Sequence, residues 1–315
     1  MQATRSRRFP LAFFGAVAVV WALLAVTASS GAPKSRAGQT VRGSILVASD
    51  HGLYRRYANG ALKQLTTNAD DRFPVWSRDG TQAAFERFAF PGDSCPLFVM
   101  NSDGSGAHQV GQVVTDCSGA SWGPSGRQLV FGGAPALANN ATLWLVNVDG
   151  TGLRRLLRGR GANPEGTHPA WSPDGSTIVF GWTASRLNGL LAIRPDGSGL
   201  HALVKPPPRY TVAFAQPAWS HDGKQLAFVQ VGFLTRTRKI VVATSGGRRR
   251  HVLARLPLNP GEQGVPSWSP NGSLVAFSGL CGRQGCVWTI PRRSGKRHVL
   301  MRGLFLQASW GPAGT

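Results

Sequence analysis

Beyond residue 43 the chain is written in short apolar bursts separated by Gly, Asp, Ser and Pro, and the bursts come in pairs. Residues 169–180, PAWSPDGSTIVF, show one pair: an indole-bearing stretch, a turn, then an apolar strand. A second pairing follows each of these, as in LWLVNVDGTGLRRLL from Leu143 and LLAIRPDGSGLHALV from Leu190, where an apolar strand, a Gly-bearing turn and a strand ending in Leu or Val read as a β-hairpin. Each unit therefore predicts four strands, labelled A to D, with hairpins A to B and C to D.

The unit repeats. PVWSRDGTQAAF from Pro74, ASWGPSGRQLVF from Ala120, PAWSHDGKQLAF from Pro217 and PSWSPNGSLVAF from Pro266 are further copies, and ASWGPAGT closes the sequence. Their tryptophans are Trp76, Trp122, Trp171, Trp219, Trp268 and Trp310, spaced by 46, 49, 48, 49 and 42 residues. That period is the length of a four-stranded propeller blade. In the A to B turn Pro173 presets the first φ, Asp174 suits the next position, and Gly175 supplies a positive φ at the exit. Asn271 and Ser125 replace the acid in other copies, whereas the glycine of the turn does not vary.

These patterns predict an all-β chain: a six-bladed β-propeller of four-stranded antiparallel blades. The first blade has a B strand at residues 44–49 and C and D strands near Leu53 and Leu62, but no A strand ahead of them. Residues 306–310 supply the missing strand, so the C-terminal strand is expected to pair into blade one and leave no open edge.

Pro-x-Trp-Ser-x-Asp-Gly followed by an apolar strand, then an apolar strand leading into Asn-x-Asp-Gly, resembles the WD40-like (PD40) repeat of the TolB-type β-propeller family, from about Ser44 to Trp310. The resemblance implies the propeller scaffold and, from family members of the cell envelope, a protein-binding role at the mouth of the propeller. It covers the propeller only: residues 29–43 are too short for the N-terminal α/β domain those members carry.

Arg5, Arg7 and Arg8 precede an apolar run over residues 9–28, and a short polar segment follows. This reads as a secretory signal cleaved after Val26-Thr27-Ala28, with an uncleaved membrane anchor as the alternative. The expected organisation is residues 1–28 as signal, 29–43 as linker and 44–315 as propeller, in an exported protein of the periplasm, envelope or extracellular space. Export gives the four cysteines a reading as two disulfides, Cys95–Cys117 and Cys281–Cys286, the first pair in the loops bounding strands C and D of blade two. Free buried thiols or a zinc site are the alternatives, the latter lacking any Cys-x-x-Cys or nearby His pair.

The formal net charge of +21 falls to +18 without Arg5, Arg7 and Arg8, and favours anionic partners such as envelope polymers or acidic proteins. The bases scatter over strand D and the loops rather than forming one run, without interleaved aromatics, which argues against a nucleic-acid groove. Catalytic signals are weak. Gly119 to Gly123 match Gly-x-Ser-x-Gly, but in register Ser121 stands where Ala170 and Ala218 stand elsewhere, and no strand-to-helix elbow follows. No histidine pair has metal-ligand spacing, and the aspartates fall one to a hairpin, as turn residues rather than calcium ligands. No cofactor or metal is expected, and the repeated tryptophans read as packing between blades.

Variation concentrates on the B to C and D to A loops, which marks their face as the binding face of a repeat protein. The residue three before each motif tryptophan should point into the central channel: Phe73, Gly119, His168, Gln216, Val265 and Gln307. Arg160, Glu165, Trp182, Arg186 and Lys205 join them as loop candidates. Arg209, Tyr210, Phe233, Arg236 and Arg283 complete the set. The functional expectation is a monomeric, non-enzymatic scaffold that binds a protein or an anionic envelope ligand through this face. The alternative is a carbohydrate- or peptide-active enzyme, or a small-ligand sensor, using the channel.

Overall fold

The computed structural model describes residues 34–35, 42–88, 95–133, 142–157, 168–184, 187–205, 212–232, 234–257, 264–282, 284–293, 295–303 and 305–312. All belong to the compact unit Gly31–Thr315, so the expected signal segment and most of the linker lie outside them. Among the described residues every element is a strand.

The strands fall into six antiparallel blades. A two-residue strand, β1 (Lys34–Ser35), precedes blade one, which contains β2 (Ile45–Ser49), β3 (Gly52–Arg56) and β4 (Leu62–Gln64). Blade two holds β5 (Asp71–Trp76), β6 (Gln82–Arg87), β7 (Cys95–Asn101) and the first half of β8 (His108–Trp122). The second half of β8 opens blade three, followed by β9 (Gln128–Gly133), β10 (Thr142–Asn147) and β11 (Arg154–Arg155). Blade four is β12 (Ala170–Trp171), β13 (Ile178–Ala184), β14 (Leu187–Ile193) and β15 (His201–Val204). Blade five is β16 (Val212–Trp219), β17 (Gln225–Gly232), β18 (Thr237–Thr244) and β19 (His251–Pro257). Blade six is β20 (Ser267–Trp268), β21 (Leu274–Cys281), β22 (Gln284–Pro291) and β23 (His298–Arg302), before β24 (Phe305–Trp310) returns to blade one.

β24 pairs with β2, Ile45 opposite Trp310 and Val47 opposite Ala308, giving the order β24-β2-β3-β4. The ring closes as the missing A strand required. The A strands then touch in sequence, β24 to β5, β8, β12, β16, β20 and back to β24, so they surround the axis. Two details depart from a plain repeat. β8 runs without a loop from D of blade two into A of blade three, merging the two into one seven-stranded sheet, and β1 adds a fifth strand to the outer edge of blade six.

The hydrophobic core is divided by blade junction, and each motif tryptophan marks one cluster. Trp310 packs with Ile45 and Val287 between blades six and one, Trp76 with Leu46 and Phe85 between one and two, and Trp122 with Leu97 and Phe131 between two and three. Trp171, Trp219 and Trp268 mark the remaining three. Their polar contacts are of two kinds. Where the residue before the tryptophan is Ser, its hydroxyl accepts the next blade's tryptophan backbone N–H: Ser309 from Trp76 at 3.4 Å, Ser121 from Trp171 at 3.0 Å and Ser267 from Trp310 at 2.8 Å. Where it is Val or Ala, its carbonyl accepts the next indole N–H: Val75 from Trp122 at 3.1 Å, Ala170 from Trp219 at 3.1 Å and Ala218 from Trp268 at 3.0 Å. Ser121, the serine of the nucleophile-like pentapeptide, is thus a junction hydroxyl.

The A to B turns are built as their sequence requires. Ser172 Oγ donates to Asp174 Oδ1 at 2.6 Å, the Ser176 N–H reaches the same oxygen at 3.0 Å, and Gly175 has φ 78°. Asn271 reproduces the arrangement in blade six at 2.9 and 3.1 Å. Both disulfides are present, Cys95–Cys117 with Cα atoms 5.4 Å apart and Cys281–Cys286 with 5.9 Å. Cys95 and Cys117 lie inside β7 and β8 rather than in loops, because β8 continues straight through the connection.

Candidate binding site at the channel mouth

The A strands enclose a cavity of about 230 Å³ on the axis. All six channel-facing residues expected from the repeat line it: Phe73, Gly119, His168, Gln216, Val265 and Gln307. The backbone explains how they point inward. Phe73 (φ 51°), His168 (φ 33°) and Gln216 (φ 54°) are left-handed, as is Gly119 (φ 86°), and each of the three side-chain-bearing residues is followed by proline. In β5 and β16 they sit at register shifts, between Arg72 and Val75 and between Ala215 and Ala218. Phe73 and Gln216 therefore stand in β-bulges, which re-aim a side chain out of the ladder. A non-glycine residue in this region costs of order 1 kcal/mol or more, and such residues concentrate at functional sites.

The side chains meet. The Phe73 N–H donates to Gln307 Oε1 at 2.8 Å, Phe73 and His168 stack edge to face with centroids 6.0 Å apart, and His168 Nε2 lies 3.5 Å from Gln216 Nε2. Phe73 belongs to blade two and His168 to blade four; they touch across Gly119 of blade three, where an added Cβ would lie 3.3 Å from the Phe73 Cβ. Gly119 is itself anchored, its N–H donating to the buried Glu86 at 3.0 Å. Beside it the Arg87 guanidinium holds the fully buried Asp71 carboxylate at 2.6 and 3.2 Å. Gln307 is 3% exposed, and its Nε2 has no hydrogen-bond partner among the described residues, which leaves a buried donor at the cavity wall.

The opposite end of the cavity is crossed by a contact that sequence reasoning missed. Position two of the A to B turn is Pro124, Pro173, Pro270 or Pro312 in four blades, but Arg78 in blade two and His221 in blade five. Blades two and five face each other across a six-membered ring, and Arg78 donates to the His221 carbonyl at 2.9 Å. Burial, reinforced by the Arg78 guanidinium, pushes the His221 imidazole below its ordinary range. The signal was in the sequence: two departures from proline, three repeats apart.

No carboxylate lines the cavity among the described residues, and no group of three metal-ligating side chains occurs among them. Ser77, Ser172 and Ser220 hydroxyls, donating to Asp79, Asp174 and Asp222, hold those carboxyls below their usual range, so turn geometry occupies them. The loop candidates divide. Lys205 and Arg236 are exposed. Trp182 is not a loop residue: β13 extends through it, and it is 7% exposed in the core between blades three and four, against Phe180. Arg160, Glu165, Arg186, Arg209, Tyr210, Phe233 and Arg283 lie outside the described residues.

A closed ring of four-stranded blades around a cavity whose repeat-breaking residues converge at one end defines a six-bladed β-propeller. The chain belongs to the TolB beta propeller domain family, which it matches over residues 57–314. Among solved structures it is similar to TolB from Acinetobacter baumannii, with 17% identity, a TM-score of 0.72, and 87% of this chain and 68% of that one covered. A putative TolB from Agrobacterium tumefaciens gives 20% identity and a TM-score of 0.62 over 76% and 86% of the two chains. An oligogalacturonate lyase in complex with manganese gives 16% identity and 0.53 over 78% and 69%, a likeness of fold alone. A search of curated proteins finds no significant match.

Proposed function

We propose that this chain is an exported, non-enzymatic binding module that engages a protein or an anionic component of the cell envelope through its channel mouth and the loops around it. One observation carries the reading: Phe73, His168, Gln216 and Gln307, where the repeat stops repeating, meet at one end of the cavity, three of them on left-handed backbone. Backbone strain is retained where surrounding structure holds it for a purpose. The two disulfides support export, and residues 1–28 are the leader in this reading, with 29–43 as linker to a monomeric propeller.

The test is capture from envelope extract by the mature protein, beside a His168→Ala/Gln216→Ala variant and an Arg209→Ala/Tyr210→Ala variant. The expected result is one partner, identified by mass spectrometry, retained by the parent and lost by both. Capture unchanged in both would overturn the choice of face. Turnover of an envelope glycan abolished by His168→Ala would overturn the non-enzymatic reading in favour of a channel enzyme.

A further inference from the structure

We propose that the rim of blades five and six, on the face opposite the channel mouth, is a second binding surface that takes a linear phosphodiester polymer. The C to D turns of blades two, three and four carry Asp103, Asp149 and Asp196. Hydrogen bonds from Ser105, Thr151 and Ser198 hold these carboxyls below their usual range, so they stay ionised. The same turns in blades five and six, TSGGRRRH from Thr244 and PRRSGKRH from Pro291, contain no acid. They expose Arg248, Arg249, Arg250, Arg293, Lys296 and Arg297 instead.

The two turns are joined. His251 bonds to the Arg292 carbonyl at 2.7 Å, and Arg292 reaches back to Gln225 of blade five at 2.9 Å. Arg249 stands on left-handed backbone (φ 50°), in a turn whose Arg248 N–H is held by Thr244 Oγ1 at 3.2 Å. Arg297 lies over the Trp288 ring at 4.5 Å. The six cations of these two turns thus form one patch. Five of the six are Arg, whose planar fork matches phosphate oxygens in pairs.

The patch covers only the blade five and six sector of its face. A planar anionic membrane laid on that face would also meet Asp103, Asp149 and Asp196, whereas a linear polymer can be held by the cationic sector alone. Exposed Leu153 and Leu200 occupy in blades three and four the turn position of Arg250 and Arg297, so the cationic sector offers no apolar side chain there to insert.

Binding of labelled poly(glycerol phosphate), followed by fluorescence anisotropy across a salt series, tests the proposal. Six cations at roughly −0.7 per neutralised phosphate give an expected log–log slope of about −4. Arg250→Glu/Arg293→Glu should weaken binding at least about tenfold and flatten the slope to about −3, while Arg127→Glu/Arg155→Glu, an equal charge change on blade three, should cost less than about twofold. Equal losses in both variants, or none in either, would overturn the proposal. So would equal competition by polyglutamate, or tighter binding to phosphatidylglycerol–phosphatidylcholine vesicles at matched phosphate. The channel-mouth variant His168→Ala/Gln216→Ala should leave this binding unchanged, which separates the two surfaces.

Discussion

Removing a junction serine isolates one hydrogen bond between blades, because Ser→Ala deletes a single oxygen. At the closure junction Ser267 Oγ accepts the Trp310 N–H at 2.8 Å, at the three–four junction Ser121 accepts from Trp171 at 3.0 Å, and at the one–two junction Ser309 accepts from Trp76 at only 3.4 Å. A buried donor left without an acceptor costs about 1–3 kcal/mol, and these half-buried sites fall toward the lower end. Ser267→Ala and Ser121→Ala should each cost about 1–1.5 kcal/mol, and Ser309→Ala about 0.5 kcal/mol or less. In a domain of this size 1 kcal/mol moves Tm by roughly 2–4 °C, so the first two variants should melt about 2–6 °C lower. Thermal unfolding followed by tryptophan emission reads all three. If Ser309→Ala costs as much as Ser267→Ala, or all three melt like the parent, the hydroxyls do not hold the junctions and apolar packing alone does. Ser121→Ala should also leave any background ester hydrolysis unchanged, as befits a scaffold serine.

Three further outcomes follow from the same structure. The unfolded chain protonates His221 near pH 6.5 while the folded protein resists it, so stability falls as pH drops below about 6.5 and levels off below the folded value; His221→Gln should flatten the Tm profile between pH 7 and 5. The depressed Asp174 carboxyl adds stability that is present above about pH 4 and is lost as pH falls through its folded value. Asp174→Asn, which copies Asn271, should melt like the parent at pH 7 and lose less on acidification, whereas Asp174→Ala should cost about 1 kcal/mol at pH 7. Cys95→Ala/Cys117→Ala opens a loop of sequence separation 22 and should cost about 3 kcal/mol, against about 2 kcal/mol for Cys281→Ala/Cys286→Ala with separation 5, read by denaturant unfolding.

The repeat made the ring legible because blade packing is periodic: each tryptophan reports one junction, and the absent A strand of blade one named its own replacement. The inward aim of Phe73, His168 and Gln216 was also legible, as an offset from the tryptophan, but their left-handed backbone was not, since phenylalanine, histidine and glutamine before proline carry no local signal for positive φ. Trp182 was misplaced because a strand that continues past its hairpin partner looks like a loop in sequence. Cys95 and Cys117 were misplaced for the same reason. The Arg78 contact and the cationic rim depend on which turns become neighbours in space. Composition reports only their sum.

Ring closure has a consequence for the order of events during synthesis. β2 is buried at every position in the finished molecule, yet its partner β24 lies more than 250 residues downstream. Until residue 310 has emerged, the growing protein is an open arc whose first blade presents an unpaired apolar edge. Emergence of β24 is therefore the step that turns an aggregation-prone intermediate into a sealed disc.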